Sequence, residues 1–533
     1  MSKRNVVVGI SWPYSNSNLH IGYIASSLSG DILARYHRMK GDDVVMVSGT
    51  DSHGTKMEIR AKAEGCSPKD IADRYDQNFR EALKAFSFSF DKYSITYDKF
   101  HKEKCKEFFI KLFENGYIVP RTEKRTFCTT CNKFVADTEI KIVCPVCGKE
   151  TKADNCDCGY VPVEKDLEGA TCLICGHKTE LRENSILVFR LSAFKKQLKK
   201  LLDDNKDIWR ANSVNETKKY LDKLIDRDFS RDLAWGVEVP IAGYEDKKVW
   251  VWYEALLGYI TDTMELGEEQ GFDWQRFWKT NVEPDREKIV YMCHAKDNIM
   301  FHSIMLPAML MGLKDNFYTN IHMVSAEYLT MNDVKISKSQ GNGFEALEMS
   351  KRFDTDSLRF HFALNGPEKK DANFTLDTYA VTHNSDVVNK FANLINRTLK
   401  FKGLETLPEG IVDENVYNRV KDIYNIVGDC IEKTEIKKAT SEILDLIMET
   451  NRFFDDQKPW AQFKEDDKTS FNNTIFTCAF VLANLTNLLE PIMPKTTEKL
   501  RNFLQIDSKP TWELICVKPN ISLDKVEPLF SRI

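Results

Sequence analysis

Two adjoining stretches decide how this chain folds: Asn5-Val6-Val7-Val8-Gly9-Ile10-Ser11, and Pro13-Tyr14-Ser15-Asn16-Ser17-Asn18-Leu19-His20-Ile21-Gly22-Tyr23. The first is a short apolar, β-branched run that reads as a buried strand. Gly22 to Lys40 then shows helical spacing of apolar residues, and Asp43 to Ser48 reads as a second strand. Strand, helix and strand in that order imply a parallel sheet with a right-handed crossover. Ligands on such sheets bind beyond the carboxyl ends of the strands. His20 follows the first strand there and Asp51-Ser52-His53-Gly54 follows the second, so both segments fall on one edge of the sheet.

The start of a helix carries unpaired N–H groups and partial positive charge, which attract phosphate. Gly22 lets a nucleotide approach it closely, and His20 can donate a hydrogen bond to a phosphate oxygen. The plainer role for His20 is to cap the helix. About 315 residues downstream stands Lys335-Ile336-Ser337-Lys338-Ser339, followed by Gln340-Gly341-Asn342-Gly343. Lysines on a glycine-rich loop can stabilise charge developing on a leaving pyrophosphate. Together the two segments suit a nucleoside triphosphate gripped from two sides.

Further out, 533 residues exceed one hydrophobic core and imply three or four domains. No apolar run is long enough to span a bilayer, and the N-terminus lacks the pattern of a signal peptide, so a cytoplasmic protein is expected. A net charge of −5 announces no nucleic-acid partner by itself; any RNA contact must be local. The basic cluster Lys195 to Lys200 reads as a solvated helix face. Val249 to Tyr253 and Lys288 to Met292 read as later strands. After about Asp377 strand signals nearly vanish, and Val387–Lys402, Glu435–Phe454 and Phe471–Leu489 show the spacing of a helix bundle.

Eight of the 14 cysteines lie between Cys128 and Cys175, in the pairs Cys128/Cys131, Cys144/Cys147, Cys156/Cys158 and Cys172/Cys175. Close pairs in such a chain point to metal rather than disulfides, and eight thiolates fit two four-ligand Zn2+ sites. Spacing alone leaves three ways of grouping the pairs. Cys156 and Cys158 have one residue between them rather than two, and His177 is a possible substitute ligand.

These motifs, in this order, resemble the methionyl-tRNA synthetase family of class I. The resemblance also rests on Asp51 to Thr55, Ser230-Arg231-Asp232, Val251-Trp252 through Tyr259, Lys296-Asp297, Phe301-His302 and Pro459-Trp460. It implies an α/β, Rossmann-like parallel-sheet catalytic domain with a zinc-knuckle insertion and a C-terminal α-helical anticodon-binding bundle. The expected division is 1–120 and 187–325 for the catalytic halves, 121–186 for the insertion, 326–376 for the second signature and stem contact, and 377–533 for the bundle. The implied reaction joins methionine to ATP, with Mg2+, as methionyl-adenylate, and then transfers methionine to tRNA(Met), initiator and elongator alike. By resemblance Lys338, His20 and Lys335 are catalytic, and Gly22, Tyr23 and Asp297 join them in holding ATP. Tyr14, Asp51, Val251, Trp252, Ala255, Tyr259 and His302 hold methionine; Asn393, Arg397 and Trp460 read the anticodon. The family's nested knuckles imply that the outer cysteine pairs share one zinc and the inner pairs another.

Three positions depart from the family's pattern. Tyr23 stands in place of a histidine and can donate one hydrogen bond but cannot carry charge near neutral pH. Ser17 replaces a glycine, and Ile336 replaces a methionine of similar volume. The insertion, some sixty residues, is smaller than the editing domains of the leucine, isoleucine and valine enzymes, which leaves a cysteine-specific enzyme as the nearest rival. A catalytically silent tRNA-binding paralogue and a zinc-only adaptor are the readings from other classes. A monomer is expected.

Overall fold

The computed structural model describes the chain apart from residues 1–2, 136, 154–155, 157, 159, 161, 332–333, 336–342 and 466, with backbone only at 138, 334 and 335. At its centre five strands, β1 (Asn5–Ile10), β2 (Asp43–Thr50), β3 (Lys92–Ile95), β4 (Lys288–Ala295) and β5 (Ile321–Ala326), form a wholly parallel sheet in the order β5-β4-β1-β2-β3. Val6, Val7, Val8 and Ile10 are all fully buried, as expected of a central strand covered on both faces. Gly9 interrupts them because a Cβ there would stand 2.6 Å from Met292 Sδ and 2.8 Å from the Tyr259 ring.

Helix α1 (Ile21–Met39) crosses from β1 to β2, as the motif spacing requires. The sequence did not disclose β3 or β5. It also read Val249 to Tyr253 as a strand, and this is corrected: the strand is only Lys248–Val249, Trp250 caps the helix, and α2 (Val251–Gln270) follows. Aromatic and β-branched residues suggested a strand locally, but the buried positions Tyr253, Leu256, Leu257 and Ile260 have helical spacing, and tertiary burial wins over propensity.

The insertion stands on a long antiparallel ribbon, Ile118–Cys128 against Glu180–Phe189, paired from Ile118↔Phe189 to Phe127↔Glu180. Beyond the sheet come α3 (Thr355–Asn365) and a bundle built on α4 (Glu414–Glu432), α5 (Ile436–Gln457), α6 (Lys468–Leu488) and α7 (Pro494–Phe503). One continuous apolar core runs from Val6, Val8 and Leu28 through Leu358 to Ile443 and Leu482, so the bundle is seated on the sheet layer. A buried ionic junction ties them. Arg359 of α3, fully buried, pairs with Asp31 of α1 at 2.7 Å and donates to the carbonyls of Phe86, Pro491 and Ile492. Arg35 adds bonds to Asp31 and Glu490.

Candidate active site and metal centres

The carboxyl ends of β1, β2 and β4 open into one cavity of about 960 Å3. Tyr14, His20, Gly22, Tyr23, Asp51, Val251, Trp252 and Asp297 all lie on its wall. His20 occupies the N-cap position of α1, yet its ring makes no capping bond, so the plain capping role fails. Tyr23 also differs from expectation. Its hydroxyl donates to the Ser11 carbonyl at 2.8 Å, so the hydrogen bond the sequence left free for a phosphate is already made.

Asp51 sits immediately after β2, 5% exposed, with Oδ1 lacking any hydrogen-bond partner among the described residues. Burial, then repulsion from Glu254, pushes its carboxyl well above the usual range. Behind it, His53 Nδ1 and Glu254 Oε1 share a 2.8 Å hydrogen bond, with both side chains buried. Burial favours the neutral form of each, taking His53 down to about 3 and raising Glu254. A buried carboxyl on a cavity wall, with one oxygen unpaired and no cation in contact among the described residues, has the chemistry to receive an ammonium group.

Beside it lies an aromatic wall. Trp252 stacks flat on Phe301, centroids 4.2 Å apart. Tyr259 and His302 are buried behind the cavity surface, and Ala255, one turn beyond Val251, does not reach it either. His302 Nδ1 is 2.9 Å from the Asn298 carbonyl, which can only accept, so Nδ1 carries the hydrogen. Burial keeps this ring neutral, lowering its pKa to about 4, so Nε2 accepts from the Tyr259 hydroxyl at 2.7 Å. Part of the cavity lining is ionic: Asp228 binds Arg125 at 2.6 Å and Arg231 at 3.3 Å.

The segment that follows the second signature, from Phe344 to Ala346, meets the first signature through backbone. Lys335 pairs with Thr330 in a short antiparallel ladder; Lys338 lies outside the described residues. At residues 344–346, Ile21 N donates to Phe344 O, Ala346 N donates to Leu19 O, and Asn18 Nδ2 reaches both Glu345 carboxylate oxygens at 2.9 Å. Asp297 accepts a short hydrogen bond from the Tyr328 hydroxyl. Neither Tyr328 nor Glu254 was singled out from sequence. Their partners lie 31 and 201 residues away, and no local motif marks them.

The cysteines form two sets, Cys128/Cys131/Cys172/Cys175 and Cys144/Cys147/Cys156/Cys158. Of the three groupings open from spacing, this is the outer-with-outer, inner-with-inner one. The single-residue gap between Cys156 and Cys158 does not prevent it, and His177 belongs to neither set. Sulfur contacts of 3.4 and 3.9 Å in the first set, and 3.7 and 3.5 Å in the second, match the roughly 3.8 Å edge of a tetrahedron with metal–sulfur bonds of about 2.3 Å. Either set could therefore hold a zinc ion. In the bundle, Arg397 and Trp460 both pack on Phe454, at 4.3 and 6.3 Å, and Asn393 lies one turn before Arg397. Trp460 is 42% exposed rather than buried, and Arg397 is ion-paired with Asp455.

Comparison with known proteins points one way. The family model for class I tRNA synthetases (M) matches residues 6–399, and that for the anticodon binding domain of methionyl tRNA ligase matches 407–524. The chain is 39% identical to the methionine–tRNA ligase of Bacillus mycoides (strain KBAB4) and 38% identical to that of Bacillus cereus (strain B4264), in each case over 99% of this chain and 97% of the relative. Among solved structures it resembles Mycobacterium tuberculosis methionyl-tRNA synthetase in complex with methionyl-adenylate, with a TM-score of 0.80 over the full length of both chains at 23% identity, a likeness of fold.

Proposed function

Because the chain belongs to the methionyl family of class I tRNA synthetases and is a methionine–tRNA ligase, we propose how its own residues divide the work. Asp51 receives the α-ammonium of L-methionine, and its orphaned buried oxygen is the observation that carries this assignment. Tyr14, Val251 and Trp252 flank the side chain. Tyr259, His302 and Ala255 back the same wall and are reached when the aromatic stack at Trp252 and Phe301 gives way. A soft thioether suits such aromatic neighbours.

ATP, carried with Mg2+, lies along the start of α1. His20 and the N–H groups at Gly22 hold phosphate, Tyr23 supports the turn through Ser11, and Asp297 meets the nucleoside after releasing Tyr328. The methionine carboxylate attacks the α-phosphorus, and pyrophosphate leaves toward Lys335 and Lys338. The protein supplies position and charge, with no covalent intermediate on its side chains. The terminal ribose hydroxyl of tRNA(Met) then takes the methionyl group. Asn393, Arg397 and Trp460 read the anticodon, Arg397 exchanging Asp455 for a base edge. The two cysteine sets each hold a structural Zn2+, closed to substrate because all four positions are filled by thiolates.

ATP–pyrophosphate exchange without tRNA, run with each of the twenty amino acids, tests the assignment. Methionine alone should support exchange; exchange with cysteine would move the chain to a sister specificity. Lys338→Ala should nearly abolish exchange while methionine still binds, and unchanged exchange would sink the role given to Lys338.

A further inference from the structure

The helix that carries Trp460 presents a second ring. Phe463, 50% exposed, stands three residues on in the same short helix (Pro459–Lys464), and so on the same face. A phenylalanine left half in water forgoes the burial that usually fixes its place. This one is nonetheless held. Its ring meets Phe401 edge-on at 5.7 Å and Phe471 at 5.2 Å. Its tip lies over Gly403, where φ is +91° and an added Cβ would come 3.1 Å from Phe463 Cζ. A side chain there would crowd the ring, and the left-handed backbone favours glycine in any case.

The surroundings suit single-stranded nucleic acid. Lys400, Lys402, Lys458 and Lys464 are exposed and adjoin in sequence Phe401, Gly403 and the helix of Phe463, and of the nearby acids Asp455 is already paired with Arg397. Asp456, Glu465 and Asp467 remain as negative neighbours. A fixed aromatic ring with lysines beside it can stack a base and meet the adjoining phosphates.

We propose that Phe463 is a second base-stacking platform of the anticodon site, taking an unpaired loop base next to the one stacked on Trp460. This rests on the anticodon role given to Trp460. Every base has a π face, so Phe463 adds affinity without choosing a sequence.

The test uses the full chain and tRNA(Met), with Phe463→Ala, Phe463→Leu, Phe463→Tyr and Trp460→Ala. Leucine keeps the apolar packing on Phe401 and Phe471 but has no ring, so it separates stacking from structure. Phe463→Ala and Phe463→Leu should weaken tRNA binding by about five- to a hundredfold. Phe463→Tyr should stay within about twofold of wild type, and ATP–pyrophosphate exchange without tRNA should be unchanged in the three Phe463 variants. An anticodon stem-loop with 2-aminopurine in the loop should lose its quenching with Phe463→Leu. Wild-type tRNA affinity in Phe463→Leu, with affinity lost in Trp460→Ala, would overturn the second platform alone. If neither variant changes affinity, the reading at Trp460 falls with it. Should the alanine variant fail to fold, the leucine and tyrosine pair decides.

Discussion

At the scale of single residues, Asp51 bears the sharpest expectation. Its raised pKa means that the free folded chain holds a proton which the unfolded chain releases near pH 3.9. Asp51 therefore costs folding stability as pH rises above that value, whereas an ammonium ligand needs the ionised form. Methionine affinity should fall as pH drops through the folded pKa, and binding near it should release protons, measurable as buffer-dependent heats of titration. Asp51→Asn should remove that dependence and raise the methionine KM by about thirtyfold or more, from a lost buried charge partner worth roughly 2–5 kcal/mol. The places of Asp51 and His20 were legible in the sequence because Asp51 directly follows β2 and His20 directly precedes α1. Glu254 was not, since its importance comes from His53 across 201 residues. Lys338, the clearest lysine in the sequence, lies outside the described residues, so its geometry adds nothing to its motif.

At the scale of elements, the insertion has little to hold it besides its cysteines. Its apolar cluster is Cys128, Val135, Ile140, Ile142, Ala153, Ala170 and Cys172, too few to fold alone without a staple. Metal analysis should find two zinc ions per chain. A strong chelator should open residues 128–180 to protease while the sheet stays protected; an insertion that resists cleavage without metal would contradict this. The cysteine pairs were plain in the sequence, and only their grouping awaited the fold. The α2 start at Val251 was misread for the opposite reason: Val249 to Tyr253 favours a strand locally, and what makes it helical is the core it enters.

At the scale of the whole molecule, the Arg359–Asp31 pair joins sheet to bundle. Burial alone would raise the Asp31 pKa, but Arg35, Arg359 and two bonds from Ser89 hold it well below the carboxylate range. Its stabilisation is complete above the ordinary aspartate pKa of about 3.9 and is lost as pH falls through the lowered folded value. Arg359→Met leaves Asp31 with one charge partner fewer and should cost about 3–5 kcal/mol, read from the midpoint of denaturant unfolding. Sequence could not disclose this junction, because three of the acceptors for Arg359 are backbone carbonyls, of Phe86, Pro491 and Ile492, which any residue supplies.

The strand order also sets a timetable for the nascent chain. β1 lies between β2 and β4, yet β4 begins at Lys288. At about 5–20 residues per second, a ribosome needs roughly 15–60 s after finishing β1 to deliver its second neighbour. For that interval the most apolar strand of the sheet has one edge open. Faster elongation shortens the window in which that open edge can pair with the wrong partner.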